Sequence, residues 1–100
     1  MIYMGDKDKE MDKPDLYVVA RFLERLWKEG REFKKTELQM AVGLNYNIYM
    51  KYLRWLEGKE LIRLVKIDKK HDKITITPKG IEAYRSLVEW IRETIGEDKF

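Results

Sequence analysis

Apolar residues recur at helical spacing in several stretches of the chain and at a strand-like spacing in one. Leu16, Val19, Ala20, Leu23, Leu26 and Trp27 share one helical stripe. It predicts a first helix beginning near Asp12, with Asp12 and Asp15 as a carboxylate form of the capping box, Pro14 in the first turn and Gly30 as the stop. Phe33 anchors a brief extended segment. Leu38, Met40, Ala41 and Val42 then mark a short second helix that starts at Lys34 or Lys35 and ends at Gly43. In Gly43-Leu44-Asn45 the glycine permits a sharp reversal, Leu44 plugs the angle between two helices, and Asn45 caps the next one through its side-chain oxygen. From Tyr46 to Gly58, Ile48, Tyr49, Tyr52, Leu53 and Leu56 fall within an arc of about 140° at 100° per residue. Asn47, Met50, Lys51 and Arg54 occupy the opposite arc.

Residues 61–68 and 73–77 alternate in part, with Leu61, Leu64, Ile67, Ile74 and Ile76 as one set. They predict two strands joined by the tip Lys69-Lys70-His71-Asp72. Two strands of this length are marginal alone, so the hairpin leans on the core while its tip projects with Lys69, Lys70 and Lys73. Thr77 caps a last helix over residues 78–95, with Pro78 at its first position and Gly96 after its end. In that helix Ile81, Tyr84, Val88, Ile91 and Ile95 are spaced 3, 4, 3 and 4, and Leu87 and Trp90 widen the apolar surface. A helix apolar over that width needs two neighbours. A second copy of the chain supplies the second in the expected homodimer; the alternative is that the first helix and residues 2–4 cover the seam within one chain.

Helix, turn, helix, hairpin and capped helix in that order predict a winged helix-turn-helix: mainly α with a small β-hairpin (α+β), and a C-terminal dimerisation helix. One hundred residues with 44% hydrophobic content suit one domain, expected over residues 13–100. Residues 1–12 show no period and are expected to form a flexible tail. Asp6, Asp8, Glu10 and Asp12 match a calcium loop only in part, because Met11 and Tyr17 stand where its glycine and final glutamate belong.

Charge sharpens this picture. The net charge is only +3, yet residues 28–79 hold thirteen Lys or Arg against seven Asp or Glu, a local excess of +6. That excess coincides with the helix-turn-helix and the hairpin, where a phosphate-binding surface needs it. The helix presenting Asn47, Met50, Lys51 and Arg54 suits insertion into a DNA major groove, although a solvated face of the same composition needs no ligand. A charged fraction of 39% without cysteine leans toward a heat-adapted protein of the cytoplasm, associated with the nucleoid if DNA is the partner. No apolar run is long enough for a membrane span. His71 alone offers no metal site, and no cofactor or small-molecule ligand is expected. With no glycine-rich phosphate loop and no Ser-His or Cys-His pairing, an enzyme is not expected.

Residues 35–95 resemble archaeal winged-helix DNA-binding proteins, chromatin-associated proteins and regulators that dimerise through a C-terminal helix. The likeness lies in Lys35-Thr36, Gly43-Leu44-Asn45-Tyr46, Tyr52-Leu53, Leu61-Ile62-Arg63 and Thr77-Pro78-Lys79-Gly80. The resemblance implies double-stranded DNA as partner. Its contacts would fall on Lys35, Thr36, Tyr46, Asn47, Met50, Lys51 and Arg54 and on the wing lysines Lys69, Lys70 and Lys73. It also implies a dimer interface on Ile81, Tyr84, Leu87, Val88, Trp90, Ile91 and Ile95. A winged helix used only to bind protein and a chromatin protein without sequence preference are the competing readings.

Overall fold

The order of elements follows the local chemistry closely. The structure, a computed structural model, describes residues 13–30 and 32–96. It contains α1 (Leu16–Glu29), β1 (Phe33–Lys34), α2 (Lys35–Val42), α3 (Tyr46–Gly58), β2 (Ile62–Lys66), β3 (Asp72–Ile76) and α4 (Pro78–Ile95). The expected tail of residues 1–12 lies outside the described residues.

Helix α1 begins at Leu16, the first residue of its stripe, and later than the start near Asp12 that the expected capping box implied. Asp15, not a box with Asp12, is the N-cap: its side chain accepts from the Tyr17 N–H at 2.9 Å, and its own N–H donates to the Tyr52 hydroxyl at 2.9 Å. Pro14 therefore precedes the cap. A local cap thus sets where α1 starts, and a bond to α3 anchors that start. The buried stripe of α1 is Val19, Ala20, Phe22, Leu23 and Leu26, while Leu16 stands exposed. Phe22 is the residue the spacing missed. Its ring stacks on Tyr49 at 5.7 Å and on Tyr52 at 6.0 Å between centroids, fastening α1 to α3.

Gly43 ends α2 at φ +72°, a left-handed conformation that a side chain would strain, and its N–H bonds the Gln39 carbonyl. Asn45 then caps α3, accepting from the Ile48 N–H at 2.9 Å. The Gln39 amide donates to the Leu44 carbonyl and the Arg21 guanidinium to the Val42 carbonyl, so side chains satisfy the backbone at this turn.

The hairpin is part of a three-stranded antiparallel sheet in the order β1-β3-β2. Phe33 pairs with Ile74, making the brief extended segment an edge strand. The register opposes Ile62 to Ile76 and Leu64 to Ile74, so the inward set is Ile62, Leu64, Ile74 and Ile76. Ile67, expected on that face, lies beyond β2 and is exposed. Packing on the helices sets this alternation, which starts at Ile62 because Leu61 is buried at the corner before β2. The residues between β2 and β3 form the tip, where Asp68 orders the chain by accepting from the Lys70 and His71 amides at 2.8 Å each.

Helix α4 opens at the cap Thr77, whose hydroxyl accepts from the Gly80 N–H at 2.9 Å and donates to the Glu60 carbonyl at 2.7 Å. It packs on α1, with Trp27 edge-on to Tyr84 at 5.3 Å between ring centroids.

Candidate nucleic-acid interface

Helix α3 is held as a rigid body by the face it buries. Tyr49 is 1% exposed and donates its hydroxyl proton to the Lys35 carbonyl at 2.7 Å, and burial raises its pKa far above the usual tyrosine value. With Tyr52, Leu53 and Leu56 it fixes the rotation of α3 about its axis. That rotation turns Asn47, Lys51 and Arg54 into solvent, one above another over two turns. Met50, expected on the same arc, is half-buried against the core. A methionine here spans the edge of the buried face and fills the space beside it. Ile48, expected on the buried arc, is 37% exposed because it lies at the edge of the arc that Tyr49, Tyr52, Leu53 and Leu56 bury. Tyr46 and Thr36 are exposed at the starts of α3 and α2, and Lys35 is half-buried at the first position of α2.

The wing divides its lysines. Lys69 and Lys70 stand exposed at the tip. Lys73 lies inside β3, with its ammonium 3.3 Å from the Glu32 carboxylate. His71 is exposed, its Nδ1 2.9 Å from Asp68. The backbone amide of Lys70 and the side chain of His71 hold the Asp68 carboxyl below the usual carboxylate range. Beside these residues stand two cations that were not singled out. Arg63 is exposed on the outward face of β2 opposite Thr75, and Lys66 ends that strand. Reading the inward alternation from Ile62 would have shown Arg63 facing out.

The seam of α4 is unevenly covered. Tyr84 and Ile91 are buried, Ile81, Leu87 and Val88 half-buried, and Trp90 and Ile95 stand 53% and 50% exposed. Among the described residues no group of three potential metal ligands comes together, and no helix is long and apolar enough to cross a membrane.

What these surfaces combine is a helix showing Asn, Lys and Arg, with a basic hairpin tip in the same chain. Side chains of these kinds can hydrogen-bond base edges and pair with phosphates.

A family model for the winged helix-turn-helix matches residues 15–95. Among solved structures, the chain is similar to BpsR of Bordetella bronchiseptica, with TM-score 0.70 and 13% identity over 90% of this chain and 64% of that one. It is also similar to a mutant form of MepR from a multidrug-resistant S. aureus clinical isolate, with TM-score 0.64 and 21% identity over 78% of this chain and 58% of that one. A third likeness is to RosR of H. salinarum, with TM-score 0.64 and 21% identity over 88% of this chain and 82% of that one. At these identities the likeness is one of fold. The chain spans less than two thirds of the BpsR and MepR chains. No curated protein matches.

Proposed function

The chain belongs to the winged helix-turn-helix family, and on that premise we propose that it is a homodimeric regulator of transcription that binds double-stranded DNA, with α3 in the major groove and the wing tip on flanking phosphates. The observation that carries this reading is the exposed Asn47, Lys51 and Arg54 on the side of α3 opposite its buried face. Arginine and asparagine can each make two hydrogen bonds to a single base, and this favours a sequence-reading regulator over a chromatin protein that holds only the backbone. BpsR, similar in fold, has DNA binding regulated by 6-hydroxynicotinic acid. The DNA-bound chain would reside on the nucleoid.

Titration of a duplex at about 50 and about 200 mM salt tests the reading, since log K falls with log salt by about 0.9 for each phosphate neutralised. An adaptor that binds only protein gives no binding, and a flat salt dependence would contradict phosphate contact.

Lys69 and Lys70 carry the wing's share. Replacing both with Gln is expected to lower the salt slope by up to about 1.8, at about 0.9 per contact, with base preference unchanged. Lys73, already facing Glu32, adds less. An unmoved slope in the double variant would take the wing off the DNA.

Dimerisation rests on Trp90 and Ile95, half of whose surface remains bare after α1 has packed against α4. Covering two such side chains against a second copy recovers on the order of 1 kcal/mol for each, and a two-fold axis repeats the gain. A two-fold also sets two α3 helices where they can meet successive major grooves, if about 34 Å apart. Light scattering at micromolar concentration is expected to give about twice the chain's 12.1 kDa. Trp90→Glu should return it to the single-chain mass. Ile91→Glu is the poorer probe, because Ile91 is 3% exposed within one chain and a charge there destabilises the fold itself. A wild-type mass of one chain would refute the dimer.

A further inference from the structure

Asp72 opens β3 opposite Lys66, on the sheet face that also carries Ile74 and Ile76. Its side chain is only 20% exposed, and its Oδ1 is sealed from solvent with no hydrogen-bond partner among the described residues. Two ammonium groups stand near it: Lys66 Nζ is 3.5 Å from Oδ1, and Lys35 Nζ is 3.9 Å from Oδ2. A charge-assisted hydrogen bond from nitrogen to a carboxylate contracts to about 2.7–2.9 Å. Neither contact has closed to that length. The carboxylate is therefore held by charge alone, in a place where an unbonded ion is costly to bury. The two lysines keep 38% and 72% of their side chains exposed, so both heads reach solvent.

The position of the trio gives this arrangement a use. Lys35 is the first residue of α2 and Lys66 the last of β2, so Asp72 joins the start of the helix-turn-helix to the base of the wing. Lys66 ends β2 just before the tip that carries Lys69 and Lys70, so a backbone that meets the tip comes near the base of the wing. We propose that Asp72 is a built-in competitor for DNA phosphate, which withholds Lys35 and Lys66 from loosely bound duplex and yields them only to a backbone docked closely enough to displace it. The proposal rests on the DNA-binding reading. In this role Asp72 is a specificity-determining residue: it lowers affinity for any duplex held by charge alone and leaves the fully seated complex its complement of cations. Taking the two lysines from a carboxylate sealed from solvent is costly, so only phosphates seated closely enough to hold both ammonium groups displace it.

The test compares the wild type, Asp72→Asn and Lys66→Gln on a duplex of random sequence, across salt, with urea unfolding of each chain as a check on folding. Asp72→Asn is expected to steepen the salt slope by about 0.9 for each lysine released and to tighten binding roughly tenfold near 50 mM salt. Lys66→Gln is expected to leave the wild-type slope in place, because that charge is already held; this arm stands even if Asp72→Asn does not fold. Glu82→Gln, which removes one carboxylate from an exposed position on α4, controls for net charge and should change nothing. The proposal is overturned by an Asp72→Asn slope equal to the wild type, by a loss of about 0.9 in Lys66→Gln, or by the same steepening in Glu82→Gln. A wild-type chain that binds no duplex at either salt overturns the DNA reading and this proposal with it; the other failures leave that reading intact.

Discussion

Gly80→Ala is expected to cost about 3 kcal/mol of stability, the upper end of what forcing extra volume into a packed site exacts. A Cβ built at Gly80 would clash with the Leu61 carbonyl oxygen and lie 2.7 Å from Ile76 Cγ1 and 3.1 Å from the Leu61 carbonyl carbon. The side chain of Ile76 could move aside. The Leu61 carbonyl is fixed: it accepts from the Thr77 N–H at 3.1 Å, and the Leu61 N–H is itself bonded to the Leu56 carbonyl. The same corner holds the Thr77 hydroxyl between Glu60 and Gly80, and Glu60 has the positive φ of 65° that lets the chain leave α3 and enter β2. Any shift that admits a methyl group therefore strains several of these bonds together. Gly58→Ala is the internal comparison, because nothing lies within 4 Å of the Cβ it would add and its backbone is helical. That substitution should be neutral or stabilise by up to about 1 kcal/mol. Urea unfolding of the two variants separates them, and a Gly80→Ala midpoint no lower than that of Gly58→Ala would show that the α4 junction is looser than its geometry implies.

Replacing Asn47, Lys51 and Arg54 together with Ala is expected to weaken DNA binding by about 3 kcal/mol, on the order of a hundredfold, with no loss of fold. One bidentate contact from Arg54 or Asn47 accounts for about 1–3 kcal/mol of discrimination, and Lys51 adds a phosphate contact. The three effects are not additive, because the residues share one surface. All three side chains are exposed, so truncating them leaves the packing of Tyr49, Tyr52, Leu53 and Leu56 untouched. Met50 belongs outside this set: half of it is packed against the core, and its replacement would mix stability with affinity.

The parts of this fold that were legible in the sequence are those that local chemistry decides. Gly30, Gly43, Asn45, Thr77 and Pro78 mark boundaries through their own backbone preferences or a cap three residues away, and all stand where the sequence placed them. The outward side of α3 was legible too, because the helical period relates Asn47, Lys51 and Arg54 to the buried tyrosines without reference to anything distant. What escaped the sequence depends on long-range partners. Phe22 is core because Tyr49 and Tyr52 receive its ring, and β1 is a strand because Ile74, far along the chain, lies opposite Phe33. Charge counting likewise treated Lys35 and Lys73 as free cations, since nothing in the spacing of Asp72 or Glu32 reveals that the fold sets them alongside. The period of α4 located its seam, but only the packing of α1 decides that Tyr84 is covered while Trp90 is bare.

The most direct measurement is the affinity of the wild type and of the Asn47, Lys51 and Arg54 triple alanine variant for the same duplex, taken at one salt concentration by fluorescence anisotropy. Urea midpoints of both chains would be recorded alongside. If α3 enters the groove by its exposed face, the wild type binds, the variant binds roughly a hundredfold more weakly, and the midpoints agree. Equal affinities at equal stability would contradict it and move any DNA contact to another surface of the molecule.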